Sequence, residues 1–152
     1  SMIEQDLLIS GCKSGKAILE RIGEGPGQDF MFKLWTDRGG RTFKTGDEID
    51  VHVQCSQRCY LKIFNIDNKG DVTAIADSGK RRLLKNKKAS IRLKAIEQGV
   101  QSLVAIASTK RFPITFKENE ALSSDSFVSS FKKLRLASPA KAEDRITITI
   151  ID

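Results

Sequence analysis

The stretch YLKIFNIDNKGDVTAIA, residues 60–76, decides the fold. Its first seven residues are rich in aromatic and β-branched side chains, which favour a β-strand. Residues 67–70 (DNKG) then have the turn chemistry of a hairpin, and residues 71–76 supply the returning strand. Just before this hairpin, residues 49–55 alternate apolar and polar side chains, which is typical of a half-buried strand. We expect these three strands to pair in chain order as a meander.

The sequence on either side predicts further strands and one helix. Residues 30–35, 90–94 and 146–150 show the same alternation, and residues 102–108 form the continuous apolar run of a central strand buried on both faces. Apolar residues then fall at helical spacing behind a start signal at residues 123–125. They are Phe127, Val128, Phe131 and Leu134. We expect this helix to cap the sheet, and residues 137–143 to form a loop.

Together these patterns predict a mainly β fold: an antiparallel immunoglobulin-like β-sandwich of about seven strands, with one capping α-helix near the C-terminus. A chain of 152 residues buries roughly 70% of its unfolded surface, so a single core is expected. We assign this domain to residues 29–152. Residues 1–28 are predicted to be a flexible, glycine-rich lead-in with one short helix at residues 17–22.

Positive charge is concentrated in one stretch of the chain. The formal net charge is +7, and residues 79–94 contain eight basic residues and no acidic one. Because a field of one sign attracts anions, six of these side chains are candidate contacts for an anionic partner. They are Lys80, Arg81, Arg82, Lys85, Lys87 and Lys88. The simpler interpretation is a solvated loop and an edge strand whose charges prevent pairing with another sheet.

The partner of such a loop would be an acidic protein, a lipid headgroup or a cell-wall polymer. Nucleic acid is an alternative, because non-specific binding needs little more than phosphate contacts. No aromatic residue lies between Phe64 and Phe112, which argues against a platform for stacking single-stranded bases.

The three cysteines are Cys12, Cys55 and Cys59. The last two bracket three residues between alternating apolar runs, which predicts that they face each other across a tight hairpin at disulfide distance. In an oxidising compartment we expect them to be bonded.

Residues 9–12 (ISGC) are similar to the cleavage box of a bacterial lipoprotein. The polar residues before them do not form its apolar stretch, and no signal-peptide pattern precedes them.

No motif predicts a cofactor or a metal. Residues 11–17 (GCKSGKA) are similar to a phosphate loop, but the glycines are too close and Ala17 replaces the hydroxyl that holds magnesium. The oxygens of residues 67–71 are better explained by a hairpin turn than by a calcium loop. One histidine and a single close cysteine pair do not make the usual zinc site. The longest uncharged run, residues 98–109, is too short to span a membrane.

His52 is the only histidine, and it lies on the polar face of the strand at residues 49–55, so we expect it to point outward. A nucleophilic device of the Ser-His-Asp or Cys-His kind would have to be built around it. We assign no catalytic residue and expect no enzyme, with a small hydrolase centred on His52 as an alternative.

Three motifs stand in the same order as in a known family. They are TGDEI at residues 45–49, CYLKIFNIDNKGDV at residues 59–72 and LVAIAST at residues 103–109. On these motifs, residues 34–109 resemble the bacterial domain of unknown function 4384. The resemblance implies a noncatalytic accessory module, often of an exported or envelope protein and sometimes attached to a protease or kinase domain. The chain departs from the family at residues 77–80 (DSGK), where an asparagine-proline element is usual.

We therefore expect a noncatalytic binding or scaffolding accessory domain of a bacterial cell-envelope or exported protein, located in the periplasm or envelope. Its basic loop would contact a protein or an anionic envelope component. A cytoplasmic nucleic-acid-binding module and the hydrolase centred on His52 are the alternatives. The sequence predicts no transmembrane segment and no particular oligomeric state.

Overall fold

Two β-sheets pack face to face in the computed structural model, which describes residues 14–25, 27–37 and 41–152. The strands are β1 (Phe32–Thr36), β2 (Thr42–Lys44), β3 (Glu48–Cys55), β4 (Tyr60–Ile66), β5 (Val72–Asp77), β6 (Ala89–Lys94), β7 (Gly99–Ser108), β8 (Glu120–Leu122) and β9 (Lys141–Ile151). The small sheet has the order β1-β3-β6, and the large sheet has the order β2-β9-β7-β4-β5-β8. Helices α1 (Gly15–Ile22) and α2 (Ser124–Ala137) pack on the outer face of the large sheet.

The predicted antiparallel immunoglobulin-like sandwich with a capping helix near the C-terminus is confirmed. The described residues contain nine strands rather than about seven, because β2 and β8, of three residues each, are too short to show a period. Strand β2 runs parallel to β9, while the other pairs among these strands are antiparallel. The predicted loop at residues 137–143 is wrong in its second half, where β9 already begins.

The predicted meander is also wrong in part. Strand β4 does pair with β5, but β3 lies in the small sheet between β1 and β6. Residues 56–58 therefore connect the two sheets at a corner and do not close a hairpin within one sheet. An alternating pattern identifies which face of a strand is buried, but any neighbouring strand can satisfy it.

Strand β7 lies at the centre of the fold and divides the core into two layers. Leu103, Ala105 and Ala107 contribute to the layer between the sheets, and Val104 and Ile106 to the layer under the helices. All five are fully buried, which confirms the prediction of a central strand buried on both faces. Strand β9 pairs with β7 along its whole length, from Gly99 with Ile150 to Ser108 with Lys141.

Helix α2 caps the large sheet as predicted. The Ser123 side chain accepts a hydrogen bond from the amide of Ser126 at 3.1 Å and so caps the helix N-terminus. Phe127 and Phe131 are fully buried, and their rings lie 5.0 and 6.0 Å from that of Phe64 on β4. These edge-to-face contacts between aromatic rings fix the helix on the sheet.

Residues 15–22 form helix α1, so the prediction of a flexible lead-in is wrong for these residues, although a short helix was predicted within it. Ile18 and Ile22 are buried in the same layer as α2, so residues 15–22 belong to the core. The helix begins against the β4–β5 turn, where a Cβ on Gly15 would lie 2.3 Å from the carbonyl oxygen of Asp67. This close approach explains the second glycine of the phosphate-loop-like motif. Residues 11–13 of that motif, and the ISGC run at residues 9–12, lie outside the described residues.

The β4–β5 turn itself is a hairpin, as expected from residues 67–70. The Asp67 carboxylate accepts hydrogen bonds from the amides of Lys69 and Asp71, each at 2.9 Å. An aspartate that bonds to the following backbone is a standard turn-forming device. The carboxylate oxygen is therefore engaged within the turn.

Candidate functional site

The basic segment, residues 80–94, follows β5 of the large sheet and ends with β6 of the small sheet. It therefore crosses the open side of the sandwich. All six candidate contact residues are exposed, and within the described residues none of their charged groups forms an ion pair. They are Lys80, Arg81, Arg82, Lys85, Lys87 and Lys88. Unpaired exposed cations can meet an anion without first breaking an internal contact.

The segment is held to the corner between β3 and β4. Leu83 donates its amide to the carbonyl of Cys59 at 2.7 Å and accepts from the Cys59 amide at 3.2 Å. The amide of Asn86 bonds to the carbonyl of Cys55 at 2.8 Å, and the Gln54 side chain bonds to the carbonyl of Asn86 at 2.9 Å. These four bonds fix the backbone on which the cations are carried.

Cys55 and Cys59, the two cysteines predicted to pair, form a disulfide with a Cα–Cα distance of 6.8 Å. Both are fully buried. The expected hairpin is replaced by the corner between the sheets, so the bond clamps the junction of β3 and β4. Because Leu83 and Asn86 bond to these same two residues, the disulfide also stiffens the anchor of the basic segment.

The start of the basic segment is fixed by a buried ion pair that sequence reasoning missed. Asp77, the last residue of β5, accepts a hydrogen bond from the Lys62 ammonium at 2.6 Å. It also accepts from the amides of Gly79 at 2.8 Å and Phe116 at 2.7 Å. The Lys62 nitrogen lies 5.3 Å from the ring centroids of both Phe112 and Phe116. One carboxylate thus holds the lysine, the beginning of the segment and the chain before β8.

Burial decides the electrostatics of this pair. The Lys62 side chain is only 2% exposed, and burial lowers its pKa because a charged ammonium is disfavoured away from water. The hydrogen bond and the charge of Asp77 oppose that shift. A lysine in a strand is usually assigned to the solvent side, so the sequence carries no signal for this contact.

Arg92 differs from the six candidate residues because it is already paired. Its guanidinium donates to Asp50 at 2.8 and 3.3 Å and lies 3.2 Å from a Glu48 oxygen. The hydrogen bond from Arg92 lowers the pKa of Asp50, and the bond to Asp50 raises the pKa of Arg92. This cation of β6 is therefore balanced by acids of β3, and the positive charge available to a partner lies mainly before residue 89.

His52 lies on the outer face of the small sheet, as the alternation predicts. It is nevertheless buried. It is 6% exposed, because the ring of Trp35 packs against it with the centroids 5.5 Å apart. Its Nδ1 lies 2.6 Å from the hydroxyl of Ser90, and its Nε2 bonds to the carboxylate of Asp37. Trp35, His52 and Ser90 are directly paired across β1, β3 and β6, which explains why they meet.

The Ser90–His52–Asp37 chain has the group types of a nucleophilic triad, in which one imidazole nitrogen accepts from serine and the other donates to a carboxylate. The same bonds also supply the two partners that a buried imidazole requires. Sequence reasoning identified His52 but not its partners, because each comes from a different strand or strand end.

Residues 42–111 match DUF4384, a domain of unknown function. The match begins with β2 and ends just after β7, so it contains β3 to β6, the disulfide corner and the basic segment. The resemblance seen in the sequence motifs is thereby confirmed for this segment of the chain. None of the curated proteins matches this chain in sequence.

Among solved structures, the chain is similar to a superoxide reductase (neelaredoxin) from Ignicoccus hospitalis, with 8% identity, a TM-score of 0.46 and 80% of each chain covered. It is similar to the CARDB domain of a Pyrococcus furiosus protein in complex with di-metal ions, with 11% identity, a TM-score of 0.39 and coverage of 86% of this chain and 96% of that one. A β-glucosidase from Listeria innocua in complex with glucose has 11% identity and a TM-score of 0.39, covering 81% of this chain and 16% of the enzyme. Likenesses this distant carry no argument about function.

Within the described residues, neither helix has the length and apolar character needed to cross a membrane.

Proposed function

We propose that this chain is a noncatalytic binding or scaffolding accessory domain of a bacterial cell-envelope or exported protein, and that its basic segment contacts an acidic partner. The observation that carries the proposal is the set of six exposed, unpaired cations on a backbone that is anchored at both ends. A fixed charged surface loses less conformational entropy on binding than a mobile tail does. The segment therefore combines charge with preorganisation.

The disulfide supports the extracytoplasmic part of this proposal. Disulfides persist in oxidising compartments such as the bacterial periplasm and are rare in the cytosol. Cys55 and Cys59 are bonded at the corner that holds the basic segment. A domain that used this corner to present a binding surface would work best where the bond is maintained.

Charge reversal tests the basic segment. A variant with Lys80, Arg81, Arg82, Lys87 and Lys88 replaced by glutamate is expected to bind a fluorescein-labelled deca-glutamate at least about tenfold more weakly than the unmodified protein, because attraction becomes repulsion. Fluorescence anisotropy at several NaCl concentrations gives the dissociation constants, and the salt dependence should become much weaker in the variant.

A matched control separates a local contact from the effect of net charge. Reversing five exposed lysines elsewhere changes the net charge equally; they are Lys16, Lys69, Lys117, Lys132 and Lys133. This control should retain most of the binding. Equal losses in the two variants would contradict a site at the basic segment. Tighter, steeply salt-dependent binding of a 20-base-pair DNA duplex than of the acidic peptide would favour the nucleic-acid alternative.

A hydrolase is a second candidate function, which the Ser90–His52–Asp37 hydrogen bonds favour. We give it the lower rank because these bonds already account for a buried histidine. Hydrolysis of p-nitrophenyl butyrate by the unmodified protein is expected to be no faster than by the Ser90→Ala and His52→Ala variants. A rate at least about a hundredfold above both variants would reverse this ranking, since removal of a triad member typically costs far more than that.

A further inference from the structure

Strand β6 leaves one edge of the small sheet open. It pairs with β3 on one side only, and no other described strand pairs with it. The amide of Ala95 bonds to the carbonyl of Asp47 at 2.8 Å, so by the period of two the odd-numbered residues of β6 face β3. The even-numbered residues, Ser90, Arg92 and Lys94, therefore direct their backbone N–H and C=O groups to the open edge. An unpaired edge of this kind is a template for another strand.

An apolar groove runs beside this edge, because three strands of the small sheet face six of the large one. A cavity of about 140 Å³ is lined by Ile63, Ala76 and Ile91. A second cavity, of about 280 Å³, has a mixed lining that includes Ile75 and Leu93 as well as Thr73 and Gln101. Both cavities lie between β5 and β6, where a fourth strand of the small sheet would place its inward side chains. The groove can therefore receive the apolar residues of an added strand.

The polar groups around the groove define the chemistry of that strand. Lys87 and Lys88 are exposed just before β6, and Lys94 is exposed at its end, which favours acidic residues in a strand that adds beside them.

We propose that the open edge of β6 binds an extended segment of a partner protein in which acidic and apolar residues alternate, and that the segment adds to the small sheet as a fourth strand. Main-chain hydrogen bonds to the edge give affinity, and alternate side chains in the groove give specificity. The inference rests on the proposed function, because it identifies the acidic partner of the basic segment as an extended protein strand.

The test uses the full chain and a fluorescein-labelled decapeptide that alternates glutamate and valine. Two further peptides carry methyl groups on the backbone amides of all glutamates or of all valines. Each lacks the N–H donors on one side of the strand and keeps every side chain. In antiparallel addition the glutamate amides face β6, and in parallel addition the valine amides face it. We expect one methylated peptide to bind at least about tenfold more weakly than the parent, which corresponds to about 1.4 kcal/mol, and the other to bind like the parent.

A protein variant gives an independent readout. Lys94→Pro removes an edge-facing N–H without removing a bond to β3, and Lys94→Ala is its matched control because it removes the same charge and keeps the N–H. Lys94→Pro should bind the parent peptide at least about fivefold more weakly than Lys94→Ala. Strand addition would be overturned if both methylated peptides bound as tightly as the parent peptide. It would also be overturned if the parent peptide did not bind at all. If the charge-reversed segment nevertheless loses deca-glutamate binding, the proposed function stands and only this inference fails.

Discussion

Replacing Arg135 with alanine is expected to lower the free energy of unfolding by about 3–5 kcal/mol, as removal of one partner from a buried ion pair does. The guanidinium donates to both carboxylate oxygens of Glu143, at 2.7 and 2.9 Å, and the two side chains are 13% and 9% exposed. It also donates to the carbonyls of Ile22 and Gly23 at the end of α1, and it stacks on Phe131 at 4.9 Å. One side chain thus joins α2, β9 and α1.

Two control variants accompany this prediction, one at Arg135 itself and one at an exposed lysine of the same helix. Arg135→Lys keeps the charge but loses the planar fork, so it should recover only part of the stability. Lys133→Ala removes an exposed cation and should change stability by no more than about 0.5 kcal/mol. Urea unfolding followed by circular dichroism measures all three. A loss for Arg135→Ala no larger than that for Lys133→Ala would contradict the proposed role of the arginine.

Replacing Asp77 with alanine should be comparably destabilising, by about 3–5 kcal/mol. The substitution leaves the Lys62 ammonium buried without its counter-ion and removes the acceptor of the Gly79 and Phe116 amides. Because it releases the start of the basic segment, it should also weaken binding of deca-glutamate, although Asp77 is itself an acid. A purely electrostatic effect would have the opposite sign, since removing a negative charge favours an anionic ligand.

Two controls accompany the Asp77 variant in urea unfolding and anisotropy measurements. Asp77→Asn removes the charge but keeps an acceptor oxygen, so its stability should lie between those of the alanine variant and the unmodified protein. Glu118→Ala removes an exposed acid from the loop before β8 and should leave unfolding almost unchanged. Tighter peptide binding by Asp77→Ala at a temperature where it is folded would contradict the anchoring role.

The fold was predictable where a local pattern decides the structure. Alternation identified β3 and β6, aromatic and β-branched composition identified β4, the unbroken apolar run identified β7, and helical spacing identified α2. Pairing was not predictable to the same extent, because the buried face of β3 is satisfied by β1 and β6 as well as it would be by β4. The corner at residues 56–58 therefore looked like a hairpin. The short helix at residues 17–22 was predicted, but its packing into the core was not, because its two apolar anchors stand in a glycine-rich context.

The candidate site was predictable in its charge and in its disulfide, but not in its buried polar contacts. A run of lysine and arginine residues is expected to be exposed, whereas the polar contacts around the site join residues that are distant in the sequence. Asp77 and Lys62 are fifteen positions apart, and His52 and Ser90 are thirty-eight. Alternation assigned His52 to an outward position, and only tertiary packing shows that the Trp35 ring covers it. Buried polar contacts between strands have no local sequence signature.

The position of β9 has a consequence for how the chain is made. Strand β7, whose residues 103–107 are all apolar, obtains one of its two neighbours only when β9 arrives. While the ribosome adds residues 109–140, this strand is an unpaired apolar edge, which is the type of surface on which nascent chains associate wrongly. Truncation before residue 141 would make that transient exposure permanent. The yield of folded protein, and its demand for chaperones, therefore depends on a strand that lies outside the DUF4384 segment and far along the chain from the basic segment.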